Sequence, residues 1–110
     1  MVKIEKETQE KIQHLQILEH NLQNFLLQKQ AFQFELNETE NALKEIEKTK
    51  EDVFKIVGQV MIKSSKAEIE KELKQKKDIL DLRIKSLEKQ ESHFKEESEK
   101  LKEEVIKKIK

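Results

Sequence analysis

VFKIVGQVMIKSS, residues 53–65, holds the chain's only glycine. On either side run long stretches rich in Glu, Lys, Gln and Leu, which favour helix. Within the stretch, Val53, Phe54, Ile56, Val57, Val60 and Ile62 favour strand instead. Gly58 and Gln59 match a two-residue hairpin loop, with the glycine first, where a type II′ turn needs a positive φ. That register sets Val57 opposite Val60 on one face and Ile56 opposite Met61 on the other, so both faces are largely apolar. A lone two-stranded hairpin is marginal in water, and this one leaves two open edges as well as apolar side chains. Pairing of hairpins from several chains into a larger sheet or barrel would stabilise it. The other reading is a strand-like bend that merely joins two helices.

Outward from this island the period changes. Upstream, Leu15, Leu18, Leu22, Phe25, Phe32, Leu36, Leu43 and Ile46 follow the a and d positions of a coiled coil, interrupted by Lys29 and Thr39. Downstream, Leu73, Leu80, Leu87, Phe94 and Leu101 recur every seventh residue. Ile84 and Val105 hold the alternate position, which Lys77, Glu91 and Ser98 weaken. As continuous helices, residues 7–50 and 66–109 each make an arm of roughly 65 Å at about 1.5 Å per residue. Equal arms around a short connector point to an antiparallel pair. Ser65 with Glu68 three residues on marks the start of the second helix as a capping box, in which each side chain serves the other residue's backbone NH. The expected fold is therefore mainly α, a long antiparallel two-helix coiled coil with a central β-hairpin. It forms a single domain of residues 1–110, with an N-terminal helix over 1–52, the hairpin over 53–64 and a C-terminal helix over 65–110.

Composition agrees with a seam rather than a layered core. Of 110 residues, 42% are charged and 35% hydrophobic, with no proline, tryptophan or tyrosine. The 23 basic and 23 acidic side chains cancel, and the regular apolar repeat favours order over disorder. Without cysteine there is neither a disulfide framework nor a thiol site. No apolar run reaches the roughly 18–20 residues of a membrane span, and MVKIEKETQEK lacks the apolar core of a signal peptide. A soluble cytoplasmic protein, with no membrane partner, is expected.

Residues 12–34, IQHLQILEHNLQNFLLQKQAFQF, carry only Glu19 and Lys29 as charges and include six glutamines. Ile12, Ile17, Leu26, Leu27 and Phe34 lie beyond the seam there, and Ile17, Leu27 and Phe34 fall at c and f positions that face solvent. Such side chains either pack on a third helix in an oligomer or grip another chain's apolar segment. Each grip is weak at roughly 25 cal/mol per Å². In an antiparallel pair, Val2 and Ile4 approach Val105, Ile106 and Ile109, at ends free to fray.

Signs of catalysis are missing. His14 and His20 are six apart, off the i, i+4 spacing of a metal pair, and with His93 read as surface histidines. Glu/Lys alternation such as EIEKELKQKKD makes a solvated helix face. There is no glycine-rich phosphate loop, and no cofactor or metal is expected. Residues 1–52 hold 7 basic against 11 acidic side chains and residues 66–110 hold 14 against 12. That balance is too even for a nucleic-acid surface, and an RNA-binding helical arm is disfavoured.

Helix, hairpin and helix in this order resemble the archaeal prefoldin β-subunit family, over about residues 9–105. The most specific block is VFKIVGQVMIKSSKAEIEKELKQKKDILDLRIKSLEKQE, residues 53–91. It is similar to the family's aromatic residue, Lys, apolar pair and Gly, followed by a second strand and a helix containing LRIKSLEKQE. The Gln-rich LQKQAFQFELNETENALKEIEK of residues 27–48 also fits. Phe54 stands where the family often has Tyr, Met61 where Leu is common, and GQ where GN is frequent. The resemblance implies an ATP-independent holding chaperone, a hexamer of two α-type and four β-type subunits whose hairpins form a platform of β-barrels. It also implies that unfolded clients bind at the coiled-coil tips and pass to a group II chaperonin. By position, Val53, Phe54, Ile56, Val57, Gly58, Val60, Met61 and Ile62 would carry oligomerisation. Ile4, Ile12, Leu15, Ile17, Leu101, Val105, Ile106 and Ile109 would face clients. The alternative is a structural coiled-coil adaptor that buries these side chains in one fixed partner.

Overall fold

The structure is a computed structural model and describes residues 5–109. Ile4 and Val2 lie outside the described residues. The element order is α1 (Lys6–Lys48), β1 (Val53–Val57), β2 (Val60–Ser64) and α2 (Lys66–Ile109). The strands pair antiparallel, with Val57 opposite Val60, Ile56 opposite Met61 and Val53 opposite Ser64. Gly58 has φ +61°, and no other described residue has a positive φ. A type I′ turn would need positive φ at Gln59 as well, so the loop is type II′. A side chain on Gly58 would meet nothing within 4 Å, which makes the glycine a matter of backbone conformation alone.

Each helix has an identifiable end. Ser65 is the N-cap of α2, because its hydroxyl accepts a 3.2 Å hydrogen bond from the Glu68 backbone NH. The reciprocal half of the expected capping box is absent. The Glu68 carboxylate instead accepts from the Ser64 hydroxyl, at 3.2 Å. Upstream, α1 stops at Lys48, four residues short of the expected boundary, with no glycine or proline to end it. The Lys66 ammonium donates to the carbonyls of Glu47 (3.0 Å) and Thr49 (3.5 Å), so the first residue of α2 satisfies a carbonyl in the last turn of α1 and one just past its end.

The chain divides into two compact units. One comprises residues 31–84, from Ala31 to Ile84, and contains the hairpin. Its core is Leu36, Leu80 and Ile84 with Phe32 packed against them, and Ile46 is buried as well. Arg83 lies over the Phe32 ring at 5.6 Å. Thr39 interrupts the apolar seam but is buried without penalty, because its hydroxyl donates to the Glu35 carbonyl at 2.8 Å. Lys77 at the seam pairs with Glu40 at 4.0 Å.

The other unit comprises residues 1–30 and 85–110. Leu18, Leu87 and Val105 are its buried apolar side chains. Phe25 and Phe94 stack with centroids 5.2 Å apart. The two seam interruptions nearest them answer one another: Lys29 pairs with Glu91 at 3.4 Å, and Glu91 also holds Lys95 at 3.2 Å. Lys11–Glu104 (3.2 Å) and Lys102–Glu19 (3.4 Å) flank the seam.

Candidate functional site

The hairpin is the largest concentration of exposed apolar side chains in the residue 31–84 unit. Alternation along the strands puts Phe54, Ile56 and Met61 on one face, and Val57, Val60 and Ile62 on the other. All six are exposed, Ile56 by 70% and Met61 by 64%, while Val53 at the strand base is half-buried. Among the described residues neither strand has a second neighbour, and the sheet consists of β1 and β2. Backbone edges and apolar faces are thus both available for pairing.

Charges tie the hairpin to its surroundings. Lys55 on β1 donates to Glu72 on α2 at 2.9 Å. That hydrogen bond, and then the charge of Glu72, hold the Lys55 ammonium above its ordinary pKa against the opposing effect of desolvation. Lys63 on β2 pairs with Asp52 at 3.4 Å, just before β1. In the other unit, Glu91 lies below the usual carboxylate pKa. The Lys95 hydrogen bond is the largest cause, desolvation opposes it, and Lys29 assists.

The residues expected to meet clients fall into two groups. Ile17, Ile106 and Ile109 project from the helices and are exposed, Ile17 by 61%. Ile12, Leu15 and Leu101 are half-buried, and Val105 is only 8% exposed within the seam. Leu26, Leu27 and Phe34 are exposed, as their positions outside the seam require. Ile79 and Leu82 are exposed in the same way on α2 and were not singled out by the sequence. Their signal was present, since the second seam places them at c and f positions. His14, His20 and His93 are exposed, and His93 lies 3.3 Å from Glu97. No described helix is long and apolar enough to cross a membrane.

Comparison with known proteins supplies the context for this surface. The family model described as "Prefoldin subunit" matches residues 9–110. The chain is 44% identical over 90 residues to the prefoldin subunit beta of Pyrobaculum calidifontis, covering 80% of this chain and 72% of that one. It is 38% identical over 111 residues to the prefoldin subunit beta of Pyrobaculum islandicum, covering 99% and 89%. The crystal structure of the prefoldin beta subunit from Thermococcus strain KS-1 superposes with a TM-score of 0.92 at 32% identity, over 100% of this chain and 98% of that one. Two helices joined by an exposed hairpin, and relatives of this kind along nearly the whole length, lead to one conclusion: the chain belongs to the prefoldin family of chaperone subunits.

Proposed function

We propose that this chain is the β-type subunit of an ATP-independent holding chaperone. It acts in the cytoplasm as one prefoldin-like domain over residues 1–110, within a hexamer of two α-type and four β-type subunits. The observation that carries the reading is the pair of exposed apolar faces on the hairpin, in a chain of this family. Hairpins from adjoining subunits pair along their open edges and close into β-barrels, covering Val57, Val60 and Ile62 on one side and Phe54, Ile56 and Met61 on the other, with Gly58 setting the turn. The helices then present several arms from one platform.

Clients are held by many weak apolar contacts. Ile17, Ile106 and Ile109 offer apolar surface as they stand. Ile12 extends it, Ile4 is assigned to the same contacts by sequence position alone, and Leu15, Leu101 and Val105 join where the helix ends part. Linking several arms to one platform raises the effective concentration of the second and third contacts, so holding needs no hydrolysis. A group II chaperonin then takes over the client by competing for it.

The test is aggregation of a chemically unfolded protein diluted, without ATP, into the chain assembled with an α-type subunit. The variant Ile17→Ser/Ile106→Ser/Ile109→Ser should assemble normally and suppress aggregation several-fold less well. Unchanged suppression would contradict the assigned contacts. Assembly without any suppression by the unaltered protein would favour a structural coiled-coil adaptor.

A further inference from the structure

The two flanks of the helix pair beside the hairpin differ in chemistry. Positions e and g of a coiled coil normally carry charge. On one flank Glu40, Glu47, Lys44, Lys74, Lys77 and Asp78 line the surface, and Glu40 pairs with Lys77. The opposite flank holds Ala42 and Ile69 at g positions, with Thr49 just past the end of α1. With Ile46, Leu73, Val53, Phe54 and the charged Glu45 they line an open, mainly apolar groove of about 310 Å³. Phe54 is shared between this groove and the hairpin face that also carries Ile56 and Met61. The groove is therefore continuous with the face that assembly covers.

We propose that this groove receives an apolar side-chain cluster from the β-hairpin of an adjoining prefoldin subunit, so that the assembly interface runs from the strands onto the bases of both helices. The inference rests on the hairpin-mediated assembly given above and assigns Ala42, Thr49 and Ile69 to it. Two points select this occupant. The lining is mainly apolar, with Glu45 as its charged member, and through Phe54 it is continuous with the hairpin face. Family membership makes other prefoldin subunits the partners at hand.

Sedimentation equilibrium of the chain with its cognate α-type subunit tests this, with helix content followed by circular dichroism. Ala42 is exposed on a helix, so Ala42→Phe fills the groove while leaving the helix pair folded. Thr49→Glu places a charge at its edge. Both should keep full helix content and assemble at least ten-fold more weakly. Lys74→Phe, on the charged flank, should assemble as the unaltered chain does. Normal assembly of Ala42→Phe and Thr49→Glu would overturn the proposal, as would equal weakening by Lys74→Phe. If Ala42→Phe assembles normally but loses suppression of aggregation, the groove takes clients and the proposal falls. If the unaltered chain itself fails to assemble, the hairpin reading fails first and takes this one with it.

Discussion

Gly58 and Glu91 show two ways in which a single residue can matter here. At Gly58 the surrounding space is open and only φ is restrictive. An L-residue in this conformation costs on the order of 1–3 kcal/mol. Gly58→Ala should therefore weaken assembly with the α-type subunit by about ten-fold or more, and a D-alanine introduced by semisynthesis should restore it. Equal assembly by the L-alanine variant would remove the turn from the account. Glu91 is 15% exposed and held by Lys95 and Lys29. Its pKa is lower folded than unfolded, so its contribution is complete above the ordinary value of 4.5 and is lost as pH falls through the folded value. Thermal unfolding should show Glu91→Gln destabilised by up to about 1 kcal/mol at pH 7, with the difference closing as the pH falls below the ordinary carboxylate value of 4.5 and through the lowered folded value. A difference independent of pH would exclude the ion pair as its source. Gly58 was legible in the sequence because turn chemistry is local. The partners of Glu91 were only half legible, since Lys95 is one turn away whereas Lys29 reaches it through the tertiary fold.

Among the elements, the hairpin register and the two seams followed directly from period two and period three-to-four patterning. The end of α1 did not, because its capping group is the Lys66 side chain. A lysine in the first turn of a helix opposes that helix's own dipole, and its position becomes intelligible only once α1 lies beside it. The polar interruptions of the seams read as weaknesses in the sequence. In the fold, Lys29 meets Glu91, Lys77 meets Glu40, and Thr39 bonds to its own helix. Leu80 is the most deeply buried apolar residue, at 2% exposure. Leu80→Ala should cost about 2–5 kcal/mol, read as a lowered midpoint in urea. Ser65→Ala removes the N-cap of α2 and should cost about 1 kcal/mol. A midpoint unchanged by Leu80→Ala would mean that the Leu36–Ile84 cluster does not hold the helices together.

For the whole molecule, family and architecture were legible from the hairpin block and the order of elements, and the full-length structural match agrees. The proposed client surface was less so. Heptad position separates outward side chains such as Ile17 from seam residues, and Val105 lies buried in the seam. The central claim is that the exposed hairpin is an interface between chains. Light scattering on a sizing column, with the chain alone and mixed with its cognate α-type subunit, tests it most directly. The account predicts a mixed species with the mass of six chains, which Ile56→Lys/Met61→Lys reduces to smaller species. A mixture in which each chain keeps the mass it has alone would contradict it.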